Sequence, residues 1–452
     1  HHGQPTVILA KTIKGYGLGT HFAGRNATHQ MKKLTLDDLK QFRDEQRIPI
    51  SDKQLEADPY LPPYYHPGEK DEAIQYLRER RRQLGGPLPS RRTAGKPLVL
   101  PGDKVYDFVK KGSGKQEVAT TMAFVRLLRE LIKDKEIGPR FVPIIPDEAR
   151  TFGMEGMFRQ VGIYAHSGQL YEPVDSDQLM YYKEAKDGQI LEEGITEAGS
   201  MSSFIAAGNA YSQHGINMIP FFIYYSMFGF QRIGDLVWCA ADTRAKGFMI
   251  GGTAGRTTLN GEGLQHQDGH SHVQANLIPN CITYDPTYGY EVAVIVQDGL
   301  RRMYGNNENI FYYLTLMNEN YQHPAMPEGD DVAEQIIKGI YKLERVENDK
   351  SKLNVQLMGS GTILNEVRKA AQILCEDYSV SSDVYSVTSF NELAREGQDV
   401  ARWNMLNPEA EQKVPYIGQV ITKDAGPAIS ATDYVKNYSD QVRAFIETEY
   451  RC

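Results

Sequence analysis

Beyond its N-terminal region, the sequence alternates short apolar runs with segments whose apolar residues recur at helical spacing. Val118, Met122, Val125, Leu128 and Ile132 define the first helical segment, and the apolar run RFVPIIP follows it. The small-residue segment TEAGSMSSFIAAGNAYSQ then leads to two further apolar runs, MIPFFIYYSMF and GFMIGG. Strands that alternate with helices predict an α/β domain with a largely parallel sheet.

Ligands of such sheets gather where the carboxyl ends of the strands meet loops. Asp147 and Glu148 follow RFVPIIP, Glu197 opens the small-residue helix, and the loop at 259–272 follows GFMIGG. Carboxylates crowded into one cleft acquire split pKa values that suit acid and base roles. For Glu197 the alternative is stabilisation of a helix N-terminus through the helix dipole. Both interpretations stay open on the sequence, and YYSMFGF is more typical of a core than of a ligand wall.

The loop LNGEGLQHQDGHSH places His266, Asp268, His270 and His272 beside three glycines. Zinc ligands usually come from separate elements or from a helix, and this loop holds too much glycine for a helix, so we predict no metal here. Histidines that titrate near neutral pH suit proton transfer at the mouth of a pocket. The alternative is that these imidazoles satisfy nearby backbone groups.

The remaining segments predict how the chain is divided. TVILA predicts a buried strand near the N-terminus, followed by the glycine-rich turn KGYGLG. Breaks such as LPPYYHP and GGPLPSRR predict a long connector. After MPEGDD a second α/β pattern begins, and its GSG lacks the third glycine of a dinucleotide fingerprint, so we interpret it as a tight turn.

Composition excludes several classes of function. The formal net charge of −8, from 50 basic and 58 acidic residues, gives no general attraction to nucleic acid or to anionic membranes. No apolar run reaches the roughly 18 residues that a membrane span needs, and no signal peptide is recognisable. The four cysteines are widely spaced and fit a reducing compartment. We therefore expect a cytoplasmic protein whose partners are small molecules or proteins.

Long motifs along nearly the whole chain resemble one enzyme family. They are KTIKGYG, GRNATHQMKK, PDEARTFGMEGMFRQVGIY, IYYSMFGFQRIGDL, GRTTLNGEGLQHQDGHSH, IPNCITYDPTYGYEVAVI and DVYSVTSFNELAREGQD. The chain thus resembles the homodimeric bacterial pyruvate dehydrogenases, the thiamine-diphosphate-dependent decarboxylase component of the pyruvate dehydrogenase complex. The resemblance implies the thiamine-diphosphate-binding fold, with a pyrimidine-binding domain and a transketolase-like C-terminal domain.

The same resemblance implies a division of the chain and a truncation. Residues 1–34 correspond to the end of the diphosphate-binding domain, 35–114 to a connector, 115–329 to the pyrimidine-binding domain and 330–452 to most of the C-terminal domain. The family's diphosphate-binding domain carries a GDG motif, and this sequence has none. We therefore expect an internal fragment, with the magnesium ligands in the missing N-terminal region.

Motif matches imply roles for the residues that surround the aminopyrimidine. Glu197 matches the glutamate that hydrogen-bonds the pyrimidine ring nitrogen, and a charge-assisted bond of this kind is strong in a dry pocket. Phe228 matches the aromatic residue that stacks on the pyrimidine, and Tyr225 resembles a tyrosine that faces the substrate adduct. Glu148, with Asp147 beside it, matches an acidic residue that tunes proton transfer.

Three basic residues have implied roles as well. His29 resembles a histidine on a mobile loop that closes over the adduct and serves reductive acetylation of the lipoyl group. His266 matches the histidine that contacts the substrate carboxylate or oxyanion, and Lys14 corresponds to a lysine near the active centre. Ala23 stands where some relatives have an acidic residue, which predicts a different strength of loop closure.

We therefore expect a homodimer that uses thiamine diphosphate and Mg²⁺ to decarboxylate pyruvate oxidatively. Its expected protein partner is the dihydrolipoyl acetyltransferase core, whose lipoyl group receives the acetyl unit; neither nucleic acid nor membrane is an expected partner. Three alternatives stay open: a related 2-oxo acid decarboxylase or transketolase-like enzyme, a truncated chain that folds without turnover, and a metalloenzyme.

Overall fold

The computed structural model divides into two compact units, residues 1–89 and 90–452. The predicted site residue Glu148 lies outside the described part of the chain. The structure describes residues 3–86, 92–147, 149–174, 176–177, 181–259, 261–329, 331–350 and 352–452.

The described residues of the first unit form three α-helices: α1 (Leu36–Glu45), α2 (Asp52–Ala57) and α3 (Glu72–Gln83). A capping box begins each of α1 and α2. The hydroxyl of the N-cap residue accepts a hydrogen bond from the backbone N–H three residues later, and the side chain of that later residue accepts one from the backbone N–H of the N-cap residue. The predicted buried strand TVILA is wrong: residues 6–10 belong to no strand among the described residues, and Leu9 is 92% exposed. A strand becomes buried only when neighbours pair with it, and apolar character alone cannot supply them.

The first part of the second unit contains a six-stranded sheet, and all five of its strand pairings are parallel, in the order β5-β2-β6-β7-β9-β8. The elements of this part are α4 (Asp107–Lys110), β1 (Glu117–Val118), α5 (Thr120–Leu131), β2 (Phe141–Ile145), α6 (Glu155–Gln160), β3 (Ile163–Tyr164), β4 (Glu184–Ala185), β5 (Leu191–Glu192), α7 (Glu197–Gly208), α8 (Ala210–His214), β6 (Ile219–Tyr225), α9 (Phe230–Asp242), β7 (Phe248–Gly252), α10 (Ser271–Ala275), β8 (Cys281–Tyr284), α11 (Gly289–Leu300), β9 (Phe311–Thr315) and β10 (Tyr321–Gln322).

The rest of the second unit contains a five-stranded sheet in the order β11-β13-β12-β14-β15, in which only the edge strand β11 is antiparallel. The elements are α12 (Val332–Lys338), β11 (Ile340–Val346), β12 (Asn354–Gly359), α13 (Ile363–Tyr378), β13 (Ser381–Val387), α14 (Phe390–Leu406), α15 (Tyr416–Val420), β14 (Ala428–Ala431), α16 (Lys436–Asp440) and β15 (Tyr450–Arg451). The predicted α/β class with mostly parallel sheets is confirmed.

Burial explains why the apolar runs form the central strands of the first sheet. Every residue of β7 is buried, as are six of the seven residues of β6. Across these strands Phe221 and Phe248 stack with their ring centroids 4.6 Å apart. Strands buried on both faces read as continuous apolar runs because helices cover each side of a parallel sheet.

A buried polar chain links the two sheets. His272 Nε2 lies 2.7 Å from Thr315 Oγ1, and Thr315 donates in turn to Asp285 Oδ1 at 2.7 Å. Ser360, in the predicted tight turn between β12 and α13, donates to the other carboxylate oxygen of Asp285. Buried polar groups need such partners, so these contacts fix how the two sheets meet.

No helix among the described residues is long and apolar enough to cross a membrane.

Candidate active site

The candidate site lies at the edge of the six-stranded sheet where the strands β2, β6 and β7 end. Asp147 comes two residues after β2, Tyr225 ends β6, and the histidine-rich loop follows β7. Tyr225 pairs with Gly252, the last residue of β7, so these two strands end at the same level. Parallel strands present their carboxyl ends at one edge, which brings these loops together as predicted.

Three of the predicted residues form one cluster of rings. The Tyr225 ring centroid lies 4.8 Å from that of His266 and 5.8 Å from that of Phe228, and the Phe228 and His266 centroids are 5.1 Å apart. Phe152, from the loop after β2, packs on Tyr225 at 5.5 Å. Tyr225 and Phe228 are half-buried, whereas Tyr224 is fully buried. The segment YYSMFGF therefore contributes both to the hydrophobic core and to the wall of the candidate site.

Close backbone approach explains the glycines around this cluster. A Cβ at Gly252 would contact the Phe152 ring, and one at Gly251 would lie 2.9 Å from the Ser226 side chain. Gly263 has φ +76, a conformation that side chains disfavour, and the helical turn Leu264–His266 follows it directly. Small residues at these positions let the three loops converge.

Glu197 opens α7 next to the ring cluster, and its side chain is only 9% exposed. Thr196 caps the helix, its hydroxyl accepting from the backbone N–H of Gly199 at 3.2 Å. Both Glu197 carboxylate oxygens lie 3.1 Å from Arg232 Nη1. The Arg232 guanidinium carbon also lies 4.1 Å from the centroid of the Phe228 ring. Glu197, Arg232 and Phe228 thus form a single stack of carboxylate, planar cation and aromatic face.

Sequence reasoning missed Arg232 and Glu192. Arg232 stands four residues after Phe228 in the sequence. This spacing allows the two side chains to come into contact but does not require it. Glu192 ends β5 beside the loop that carries Asp147. Burial raises the pKa of Glu192, and the negative charge of Asp147 adds to this effect. The Tyr182 hydroxyl donates to Glu192 Oε2 at 3.3 Å.

The histidines of the loop have three different environments. His266 belongs to the ring cluster, with Nδ1 3.3 Å from the carbonyl oxygen of Glu262. His270 is exposed. His272 is fully buried in the polar chain that links the sheets, and burial lowers its pKa to about 3, so its imidazole is neutral. The described residues contain no group of three or more His, Cys, Asp and Glu side chains that could hold a metal ion.

Lys14 and His29 come together in the first unit. Lys14 Nζ lies 2.6 Å from His29 Nδ1, and both side chains are exposed. The glycine-rich turn supports this contact: Gly15 has φ +78, and a Cβ there would lie 2.7 Å from the carbonyl oxygen of Phe22. Gly24 donates its backbone N–H to the carbonyl of Lys14 at 3.0 Å. The turn and the loop that carries His29 are therefore joined at two points.

The stack at Glu197 fits the aminopyrimidine of thiamine diphosphate. A carboxylate with little exposure is a suitable acceptor for a protonated ring nitrogen, and the Phe228 face suits a planar heterocycle. The guanidinium already seated there demonstrates that a planar cationic donor is accommodated. The described carboxylates form no cluster that could hold the Mg²⁺ that accompanies a diphosphate.

Two family models match the second unit. The model of the pyruvate dehydrogenase E1 component middle domain matches residues 99–324. The model of the transketolase-like TK C-terminal domain matches residues 339–450.

Curated relatives match the entire chain. The pyruvate dehydrogenase E1 component of Pseudomonas aeruginosa is 57% identical over 452 residues, which is 100% of this chain and 50% of the relative. The E1 component of Escherichia coli K12 is 56% identical over 99% of this chain and 49% of its own length. That of Mycobacterium tuberculosis is 54% identical over 100% of this chain and 48% of its own length. The chain therefore spans about half the length of these relatives.

Solved transketolases share the fold. The enzyme from Campylobacter jejuni matches with a TM-score of 0.58 and 17% identity, over 97% of this chain and 57% of that one. The enzyme from Leishmania mexicana matches with a TM-score of 0.53 and 16% identity, over 92% of this chain and 48% of that one. At this identity the likeness concerns the fold alone.

Proposed function

Since this chain belongs to the pyruvate dehydrogenase E1 component family, we propose that it carries the aminopyrimidine-binding part of an active site that decarboxylates pyruvate oxidatively. The observation that carries the proposal is the nearly buried Glu197 carboxylate beside the half-buried Phe228 ring. Thiamine diphosphate supplies, when bound, the electron sink for loss of carbon dioxide from a 2-oxo acid. The residues of this chain bind it, orient it and move protons.

Glu197 accepts a hydrogen bond from the protonated pyrimidine nitrogen, and its low exposure keeps water from competing for the carboxylate. Phe228 holds the ring plane by stacking, which is worth about 1 kcal/mol. Tyr225 and His266, which contact each other edge to face, line the side of the cluster where pyruvate enters. His266 is the group that neutralises the substrate carboxylate or oxyanion.

The acidic loop after β2 tunes these proton transfers. Asp147 lies two residues after β2, Glu148 is the next residue in the sequence, and burial raises the pKa of nearby Glu192. Groups whose pKa values are driven apart suit acid and base roles. We assign this loop to proton transfer near the pyrimidine amino group.

His29 serves the second half-reaction, the transfer of the acetyl unit to a lipoyl group of the dihydrolipoyl acetyltransferase, and Lys14 positions it. The 2.6 Å contact between Lys14 Nζ and His29 Nδ1 supports a joint role. Because the ammonium can only donate, His29 carries its own proton on Nε2, where it is available to a reacting group.

The diphosphate and the Mg²⁺ are proposed to bind residues from the part of the relatives that this chain does not span. Two facts support this: the sequence contains no GDG motif, and the described carboxylates form no metal cluster. Mg²⁺ takes oxygen ligands, and one or two carboxylates with the diphosphate would supply part of its coordination beside water.

A homodimer is proposed on the basis of the outer face of α7 and α9. Ala198, Ser202 and Ala206 are exposed along α7, and Trp238 on α9 is 45% exposed. Small residues allow close approach of a facing helix, and a large exposed aromatic is typical of interfaces. A twofold contact of this kind is the commonest arrangement among homo-oligomers.

A second candidate is a chain that folds and dimerises without turnover. The absent GDG motif and the coverage of about half of each relative favour it. A third, turnover of a larger 2-oxo acid or a sugar phosphate, uses the same fold and differs only in substrate.

The experiment is calorimetric titration with thiamine diphosphate and Mg²⁺, with pyruvate turnover followed by an artificial electron acceptor in the same sample. Binding with turnover supports the proposed enzyme, and binding of the cofactor without turnover supports the second candidate. A substrate panel of pyruvate, 2-oxobutyrate, a branched 2-oxo acid and a ketose phosphate separates the third. Preference for any substrate other than pyruvate contradicts the proposal. Absence of both binding and turnover means that the aminopyrimidine-binding part of the site needs the diphosphate-binding part that this chain does not span.

A further inference from the structure

The Arg232 guanidinium occupies the place between Glu197 and Phe228. Its Nη1 contacts both Glu197 oxygens at 3.1 Å, and its carbon lies 4.1 Å above the Phe228 ring. Within the described part of the chain these are the only groups that hold the guanidinium. The two groups assigned to the pyrimidine are therefore both engaged by one side chain.

A guanidinium and a protonated aminopyrimidine share the features that this place recognises. Both are planar and cationic, both carry an N–H that a carboxylate accepts, and both offer a face to an aromatic ring. Each satisfies Glu197 and Phe228 in the same way, so they compete for the same place. Both cannot stack on the same face of Phe228 together, because the guanidinium carbon already lies 4.1 Å from the ring centroid.

Exposure determines which group moves when a competitor arrives. The Arg232 side chain is 51% exposed, whereas that of Glu197 is 9% exposed. The guanidinium can turn into water with little loss of solvation, while the carboxylate stays fixed at the start of α7. In return, the buried carboxylate always has a cationic partner, and an unpaired buried charge is strongly unfavourable.

We propose that Arg232 is an internal placeholder for the aminopyrimidine: it closes the pocket over Glu197 in the unliganded protein and leaves when the cofactor binds. The inference rests on the proposed function of the Glu197 site. Its consequence is that cofactor binding is an exchange of one planar cation for another. The apparent dissociation constant is then raised by the inverse of the fraction of molecules in which Arg232 has swung out.

The test compares Arg232→Gln and Arg232→Lys with the unsubstituted protein, and Arg402→Gln serves as the matched control because Arg402 is exposed on α14. The probes are thiamine, which presents the pyrimidine without the diphosphate, and thiamine diphosphate with Mg²⁺. Binding is measured by calorimetry, and the thermal unfolding temperature of each variant verifies that it is folded. We expect Arg232→Gln to lower the dissociation constant of both probes about fivefold. Arg232→Lys, which retains charge without the planar fork, falls between.

Three outcomes overturn the placeholder. Weaker binding by Arg232→Gln means that Arg232 assists the bound state, and unchanged binding means that the ion pair is incidental. Binding of thiamine by neither protein means that the pocket does not take the pyrimidine even without the guanidinium, so Arg232 is not what excludes it. Failure of the proposed function is a different result: the protein then turns over another substrate in preference to pyruvate. The thiamine comparison between the variant and the unsubstituted protein still decides the placeholder in that case.

Discussion

Lys14 Nζ lies 2.6 Å from His29 Nδ1 in the first unit. An ammonium has only donors, so the imidazole accepts at Nδ1 and holds its proton on Nε2. The contact defines a tautomer as well as a position. A histidine oriented in this way presents an Nε2–H that can donate a hydrogen bond to a sulfur or oxygen of a reacting group.

In an assembly that includes the diphosphate-binding part, we expect His29→Ala to impair acetyl transfer to a lipoyl group by about tenfold or more relative to the decarboxylation measured with an artificial acceptor. Lys14→Met should weaken the same half-reaction by a smaller factor, because the imidazole remains and only its orientation is lost. His66→Ala, an exposed histidine of the same unit, is the control. Equal losses in the two assays would remove His29 from acetyl transfer.

In an assembly that includes the diphosphate-binding part, Glu197→Gln should reduce pyruvate turnover by about 100-fold or more, because an amide lacks the charge that favours a protonated ring nitrogen. The fold should persist, since the substitution is nearly isosteric. Glu376→Gln changes an exposed glutamate of α13 and should leave turnover unchanged. Steady-state rates and circular dichroism of both variants provide the measurement, and full activity in Glu197→Gln would show that the ring nitrogen is activated elsewhere.

Trp238→Glu should convert the proposed dimer into monomers, because a charge at the centre of an apolar contact loses its water without a partner. The chain has only two tryptophans, and Trp403→Glu is the matched control. Trp403 lies under the Lys413 ammonium, 4.0 Å from the ring centroid, on α14. Sedimentation velocity at several concentrations distinguishes the two species. A dimeric Trp238→Glu variant would exclude this face as the interface.

His272→Ala should lower the free energy of unfolding by about 3 kcal/mol, because it removes a fully buried ring that stacks on Tyr438 and leaves a cavity. His270→Ala, two positions earlier and exposed, should change it by less than about 0.5 kcal/mol. Urea denaturation of both variants measures the difference. Similar losses in the two would mean that the loop is not anchored through His272.

His272 also predicts a dependence of stability on pH. Burial lowers its pKa from 6.5 to about 3, so below pH 6.5 the unfolded chain binds a proton that the folded chain does not. Its contribution is fully present above about pH 6.5 and is lost as the pH falls toward 3. Asp285, whose pKa burial raises from 3.8 to about 7, has the opposite effect: the stability it contributes is lost as the pH rises through that range.

The variant His272→Phe distinguishes the two contributions to the pH dependence. It removes the imidazole and retains Asp285 with its neighbours Ser360, Tyr434 and Asp433. We expect the variant to lose less stability than the unsubstituted protein between pH 6.5 and pH 4. Urea denaturation at half-unit steps of pH provides the two curves. Parallel curves would mean that His272 binds a proton in the folded state.

The sequence predicted which segments form helices and strands better than it predicted which strands pair with one another. RFVPIIP and MIPFFIYYSMF became β2 and β6 because apolar runs between helical segments have few other ways to bury their surface. TVILA has the same character and stays exposed, because strand pairing is a property of neighbours and not of the run itself. The roles of Glu197, Phe228, Tyr225 and His266 came from motif resemblance, and they stay predictions.

What the sequence determined by itself is the α/β alternation, and with it the edge of the sheet where Asp147, Tyr225 and the histidine-rich loop converge. Periodicity specifies which face of an element is apolar, and parallel strands place their ends on one side. The tertiary structure decided which histidine of the loop is buried, and that Arg232 reaches Glu197 and Phe228. Contacts between residues far apart in the chain depend on the packing of several elements at once, and no local pattern encodes them.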